Sequence, residues 1–307
     1  MQQLSPLPPG GTIAVTAPAG PVNAEDWAQS KQLLEGMGYR VVETASVRSR
    51  WGYLAGDDAT RAAGVIEAFT REDVDAIICA RGGYGCTRLL PLLDWGRIAA
   101  SPKPFVGYSD VTVLHMALWE RCRLPTFHGP IAESLHLQSP ASRAGLWRTL
   151  ASPVIGLVAN PPGTGQLRTV SGGQAEGRLL GGNLSLLAAL VGTPWEPDTQ
   201  GAILLLEDVG EQPYRLDRML TQLIQAGLLT RSAGIVLGDF TDCDPEPDKP
   251  SFTAAEVLAD RLSGLDVPCL AGLHFGHGTE KLTIPLGVRA RLDATAQTLS
   301  ILEGPYG

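Results

Sequence analysis

A serine, a carboxylate and a histidine can together carry out acyl transfer. This chain sets one of each just beyond an apolar run and beside glycine. Ser109 follows Phe105-Val106-Gly107-Tyr108 and precedes Asp110-Val111 and an amphipathic stretch. That pattern predicts a sharp strand-to-helix corner, where a hydroxyl is exposed for attack and helical N–H groups lie close to a tetrahedral intermediate. The competing reading is a plain helix N-cap, a place where Ser and Asp are favoured. The apolar run 202–206 ends at Glu207-Asp208, and the run 267–273 ends in His274-Phe275-Gly276-His277-Gly278. The order Ser, Glu, His is one of several in which such triads occur. Sites in open α/β sheets gather outside the carboxyl ends of strands. Adjacent strand residues point to opposite faces, so only one of Glu207 and Asp208 faces such a site.

The loop Arg81-Gly82-Gly83-Tyr84-Gly85 follows an apolar run and opens a helical stretch. Glycines there let backbone N–H groups approach a ligand, and a helix N-terminus adds positive potential. One reading is a phosphate cradle, but neither G-x-x-x-x-G-K-[ST] nor a full G-x-G-x-x-G is present. Another is an oxyanion hole or carboxylate-binding turn beside the serine. The third is a tight turn required only by packing. Arg81 and Tyr84 are the substrate-binding candidates of this loop. A guanidinium recognises a carboxylate bidentately, so Arg81 suits a terminal carboxylate. Its alternative role is an ion pair with an acid of the second domain.

The elements that must position these residues are readable in outline. Strands are expected at 11–17, 39–43, 76–79 and 105–106, alternating with helices at 25–37, 59–70 and 111–121, which indicates βαβ units and a parallel sheet. Punctuation by Ser139-Pro140, Ser152-Pro153, Pro161-Pro162-Gly163 and Ser171-Gly172-Gly173 marks a connector, interrupted by a helix near 141–150. A strand at 202–206, a helix at 215–226, a strand at 234–239 and an alternating tail at 287–303 complete a mixed second domain whose strands do not all run parallel. The expected divisions are an α/β domain at 1–138 carrying the serine, a linker at 139–173, and a domain at 174–307 carrying the glutamate and the histidine.

Composition narrows the function classes. The chain has 307 residues, 44% hydrophobic and 18% charged, which suits a globular protein with a sizeable core. A formal net charge of −8 argues against a broad nucleic-acid interface and against polybasic attachment to lipid. No apolar stretch reaches the roughly 20 residues of a membrane span. The start Met1-Gln2-Gln3-Leu4-Ser5-Pro6 lacks a secretory pattern, so a cytoplasmic location is expected. The five cysteines have no C-x-x-C pair, which fits a reducing compartment. Cys86 lacks a local base and is discounted as a nucleophile. The five histidines form no zinc signature, and no metal or cofactor is expected.

Several blocks together resemble the LD-carboxypeptidases, also called murein tetrapeptide carboxypeptidases. They are Gly11-Thr12-Ile13-Ala14-Val15-Thr16-Ala17-Pro18-Ala19-Gly20, the Arg81–Gly85 loop, Gly107-Tyr108-Ser109-Asp110-Val111-Thr112, Glu176-Gly177-Arg178-Leu179-Leu180-Gly181-Gly182-Asn183-Leu184-Ser185, Leu206-Glu207-Asp208-Val209-Gly210-Glu211 and Phe275-Gly276-His277. The resemblance runs from about residue 10 to 295. It implies an N-terminal parallel-sheet domain like class I glutamine amidotransferases and a smaller C-terminal swivelling β/β/α-type domain. It implies a cytoplasmic serine peptidase, usually a homodimer, that removes the terminal D-alanine from murein tetrapeptide in peptidoglycan recycling. Muropeptide is then the partner, with no nucleic acid and no membrane. The implied roles are Ser109 as nucleophile, Glu207 as orienting carboxylate, His277 as base, and the N–H groups of Gly83 and Asp110 as oxyanion donors. His274 is an extra histidine, and the Phe-Gly-His block selects His277 over it. Two alternatives remain. One is a serine peptidase acting on peptidyl-nucleotides, like the microcin C self-immunity proteins, with Trp195 as the nearest base-stacking candidate. The other is a non-catalytic binding module.

Overall fold

The computed structural model describes residues 1–152, 156–246 and 250–306. The chain divides into two compact units. One comprises Met1–Val154, Thr283–Gly287 and Pro305–Gly307, and the other Ile155–Leu282 and Val288–Gly304. The fold is mixed α/β with two mixed sheets.

The first unit is built on strands β1 (Thr12–Thr16), β2 (Arg40–Glu43), β3 (Ala76–Cys79), β4 (Phe105–Gly107) and β5 (Thr126–His128). Every residue of β1, β3, β4 and β5 is buried. Such continuous apolar runs belong to a sheet covered on both faces. The five strands pair in parallel in the order β5-β4-β3-β1-β2. The chain therefore leaves β1 toward one edge and resumes at β3 toward the other. This reversal is a topological switch point, where the loops after the two strands part and leave room for a ligand. Those loops are 17–23 and 80–85, and the Gly20 N–H donates to the Gly82 carbonyl at 3.0 Å.

The edge beyond β5 corrects the expectation of a sheet drawn wholly from the N-terminal region. It is held by β12 (Ile284–Leu286), which runs antiparallel with Ile284 opposite His128. Pro285 is tolerated because an edge strand needs donors on one side only. Tyr306 also joins this unit, its hydroxyl donating to the carbonyls of Thr149 and Leu150 at 2.9 and 3.0 Å. The helix Pro140–Ala151, read as part of a linker, packs here as well. These segments differ from the expected boundaries because Ile284 and Leu286 pair with β5 and Tyr306 bonds to Thr149 and Leu150, all three being buried, and short apolar runs carry no label for the sheet they join. Pro153 of the expected Ser152-Pro153 punctuation lies outside the described residues.

The second unit carries β6 (Gly156–Val158), β7 (Arg168–Ser171), β8 (Gln174–Asn183), β9 (Ile203–Val209), β10 (Gly234–Thr241), β11 (Cys269–Ala271), β13 (Arg289–Asp293) and β14 (Thr298–Ile301). Its sheet runs β6-β14-β13-β8-β9-β10-β11-β7. The central β8 to β11 are parallel and the flanking strands antiparallel. β8 is long enough to pair with β13 through 174–178 and with β9 through 179–183. The alternation expected in the tail appears in β13, where Arg289 and Arg291 are exposed and Ala290 and Leu292 are buried. A helix at Ala254–Leu262 lies outside the expected elements. Its signal in the sequence is the capping box Thr253-x-x-Glu256, whose two reciprocal hydrogen bonds are both formed.

Candidate active site

Ser109 opens a single 3₁₀ turn, Ser109–Val111, directly after β4 and before the helix Thr112–Cys122. Its φ is +65°, in the left-handed region that a residue with a Cβ occupies at a cost of about 1–3 kcal/mol. No side-chain cap hydrogen bond forms at this turn, so Ser109 is not the N-cap of the competing reading. The side chain is half-buried while Asp110 and Val111 are buried. The strained corner thus leaves Ser109 partly exposed on buried neighbours. Burial pushes the Asp110 carboxyl up, and its Oδ2 accepts from the Cys86 N–H at 2.8 Å. That bond ties the Ser109 turn to the end of the glycine loop. Burial also raises the Cys86 thiol well above its ordinary value, which removes it as a nucleophile.

The glycine loop lies against Ser109. A Cβ on Gly82 would fall 2.8 Å from the Ser109 Cβ and 3.0 Å from its Oγ. Gly83 has φ +108° and is exposed. Arg81 and Tyr84 are partly exposed, at 46% and 49%. The Arg81 Nη1 donates to the Pro21 carbonyl at 3.1 Å and lies 3.8 Å from Glu133. Its acidic partner is therefore in the first unit, not in the second domain. Tyr84 meets Tyr53 edge-on, with centroids 5.7 Å apart.

Arg61 is a residue that sequence reasoning misses. It is fully buried, and its guanidinium donates to the carbonyls of Pro18 at 2.6 Å, Gly85 at 2.9 Å and Gly56 at 3.2 Å. It is also paired with Asp58. Arg61 thereby fastens the loops that follow β1 and β3. The available signal is an arginine four residues before Val65 and eight before Phe69, on the buried face of its helix.

In the second unit, Glu207 and His277 meet. Glu207 lies near the end of β9, fully buried, and its Oε2 is 2.7 Å from His277 Nδ1. A carboxylate there accepts from Nδ1–H and leaves the lone pair on Nε2. The neighbouring Asp208 faces away. It accepts from Asn183 Nδ2 at 3.0 Å, from the Ser185 N–H at 2.9 Å and from the Val209 N–H at 2.8 Å, at the start of the helix Leu184–Leu190. Burial outweighs these donors and pushes its carboxyl up to about 6. Strand alternation thus separates a carboxylate for the histidine from one that secures a helix start. Trp195 is half-buried. Among the described residues, no group of three or more His, Cys, Asp and Glu side chains is placed to hold a metal ion, and no helix is long and apolar enough to cross a membrane.

Comparison with known proteins shows what the chain is similar to. Residues 13–129 match the LD-carboxypeptidase N-terminal domain and residues 176–292 the C-terminal domain. The murein tetrapeptide carboxypeptidase of Pseudomonas aeruginosa is 36% identical over 293 residues, covering 93% of this chain and 94% of that protein. The crystal structure of a muramoyltetrapeptide carboxypeptidase from Oxalobacter formigenes superposes with a TM-score of 0.82 at 36% identity, covering 96% of this chain and 99% of that one. A microcin C7 self-immunity protein in complex with aspartyl sulfamoyl adenosine gives a TM-score of 0.90 at 25% identity, with 100% of both chains covered. With both domains of the family matched in order and a relative this close along nearly its whole length, the chain belongs to the LD-carboxypeptidase family of peptidases.

Proposed function

We propose that this peptidase is a serine LD-carboxypeptidase that removes the terminal D-alanine from murein tetrapeptide, cleaving after the L-centre of the diamino acid. The observation that carries the reading is the buried Glu207 holding His277 through Nδ1 at 2.7 Å. This leaves Nε2 to take a proton near neutral pH. Ser109 then attacks the scissile carbonyl as its proton passes to His277, and the backbone N–H groups of Gly83 and Asp110 receive the developing oxyanion. The protonated His277, stabilised by Glu207, returns its proton to the departing D-alanine amine. Water, activated by the same histidine, then attacks the ester carbonyl, the bond to Ser109 Oγ breaks, and the tripeptide leaves as its acid while Oγ regains a proton. Arg81 holds the terminal carboxylate, and Tyr84 lines the same loop. The reading includes a cytoplasmic role in peptidoglycan recycling and a homodimer, as the family resemblance implies.

A second reading, hydrolysis of a peptidyl-nucleotide, is favoured by the likeness to the microcin C7 self-immunity protein. Mass spectrometry of products from murein tetrapeptide and from a peptidyl-adenylate, offered at equal concentration, separates the two. Release of D-alanine from the tetrapeptide, abolished in Ser109→Ala, is the expected result. Turnover of the adenylate alone would establish the second reading. Turnover of neither, with no labelling of Ser109 by a fluorophosphonate, would make the chain a binding module.

A further inference from the structure

We infer that Asp239 and His274 form a second acid–imidazole pair, and that this pair positions the loop carrying His277 without adding net charge beside Glu207. The inference rests on the proposed role of His277 as the base. Both ring nitrogens of His274 are engaged. Nε2 lies 2.6 Å from the Thr164 carbonyl oxygen, which only accepts, so Nε2 carries a proton. Nδ1 lies 3.1 Å from Asp239 Oδ1. Either Nδ1 also carries a proton and faces a carboxylate, or Asp239 carries it and donates to Nδ1. One proton is shared in both states, and the pair is neutral overall in both.

The connections of this pair lead to the His277 loop. β10 has a register irregularity between Leu237 and Phe240. Asp239 lies within it and donates its N–H to the Phe275 carbonyl at 3.0 Å. The His274 N–H donates to Asn160 Oδ1 at 2.8 Å, and Asn160 Nδ2 donates to the Gly272 carbonyl at 2.7 Å. His274 therefore joins three segments: β10, the 160–164 turn and its own loop. Two glycines flank His277, and each rests on a carboxylate side chain. A Cβ on Gly276 would come within 3 Å of the Glu207 carboxylate, and one on Gly278 within 3 Å of the Asp239 carboxylate. Glu207 thus supports one side of His277 and Asp239 the other, from adjacent parallel strands.

Charge explains why the second carboxylate needs an imidazole. Asp239 and Glu207 are close enough to interact, and Lys281, which donates to the Gly278 carbonyl, feels both of them and Glu280. Lys281 is 9% exposed and supplies one positive charge to the group. Burial pushes the Asp239 carboxyl up, and wherever it is ionised without His274 it adds a second negative charge beside the Glu207–His277 pair and favours protonated His277. Paired with His274, it supports the loop and leaves that balance unchanged. His274 is thus a positioning residue, and with both ring nitrogens committed it is not an alternative base.

The test compares full-length wild type with His274→Gln, Asp239→Asn and the double variant. D-alanine release from murein tetrapeptide is followed across pH, and the His277 imidazole is titrated by NMR. His274→Gln should lower kcat about 10-fold to 100-fold with KM within about threefold, the cost of a base displaced rather than removed. It should also move the acid limb of kcat/KM, and the His277 titration, to higher pH. Asp239→Asn should lower kcat without moving the limb, and the double variant should return the limb to its wild-type position. A loss of kcat that follows Tm with an unmoved limb would reduce the pair to ordinary packing and overturn the inference. Wild-type behaviour in all variants would overturn it too. Turnover that survives in Ser109→Ala would instead overturn the proposed function, and the NMR titration still decides the electrostatic claim in that case.

Discussion

The Ser109 turn and the His277 loop solve the same problem, holding a reactive side chain in one place, by different physical means. The first relies on backbone. Ser109 is held at φ +65° between β4 and a helix, with a side-chain-free Gly82 pressed against it. The second relies on side-chain charge: buried Glu207 takes Nδ1 of His277, and a neighbouring acid–imidazole pair braces the same loop. A hydroxyl needs exposure and a fixed direction, which strain and close packing supply. An imidazole needs a fixed tautomer, and only a hydrogen-bonding partner supplies that.

Removing the two proposed reacting groups should give the largest effects and tests whether the two solutions serve one reaction. Ser109→Ala and His277→Ala should each lower kcat by about 10⁴ to 10⁶. Ser109→Ala should shift Tm by no more than a few degrees, whereas His277→Ala also takes the Nδ1 donor from fully buried Glu207 and should lower Tm further. If the two belong to one triad, combining them should cost little more than either alone, since triad members act as a unit. A double variant whose losses multiply would mean that the two residues serve separate steps.

Gly82→Ala probes the backbone side alone and should rank next. Its Cβ would lie 2.8 Å from the Ser109 Cβ, closer than real Cβ atoms approach, so the turn must shift. A displacement of that kind costs about 100-fold in kcat with the chemistry otherwise intact. Gly83→Ala meets no such contact, its nearest neighbour being 3.5 Å away, but it carries the strain of φ +108°. Gly83→Ala should therefore lower Tm more than Gly82→Ala does, while Gly82→Ala lowers kcat more. Assaying the two side by side, by steady-state kinetics and thermal melts, checks the order. The reverse order would mean that strain, not contact, sets the position of Ser109.

The same contrast explains what the sequence makes legible. The serine corner is visible as an apolar run followed by glycine and Ser-Asp, because a strand-to-helix turn is a local event. The separation of Glu207 from Asp208 is visible as well, since strand alternation is local. Arg61 and Asp239 are harder to see. The helix pattern places Arg61 on a buried face, but its role depends on carbonyls 43 and 24 residues away, and Asp239 depends on a histidine 35 residues away; nothing local marks those distant partners. β12 fails for a related reason. Ile284-Pro285-Leu286 is too short to show a period, and only the exposed edge of β5 gives it a sheet to join.

Asp208 gives the smallest effect and shows what the site's electrostatics do to folding rather than to catalysis. Its carboxyl is raised from 3.8 to about 6, first by burial. A raised acid favours the folded state while it stays protonated there. The stabilisation is complete below pH 3.8, the unfolded value, and is lost as pH rises through the folded value near 6. Two pH units correspond to about 3 kcal/mol at most. Urea unfolding of wild type at pH 4 and pH 7 should therefore show a drop that Asp208→Asn lacks, whatever the offset of the variant at either pH. Activity should change far less than in Ser109→Ala, because Asp208 faces the Asn183 and Ser185 donors and not His277. If the two proteins lose stability in parallel between pH 4 and pH 7, the three donors hold Asp208 ionised in the fold.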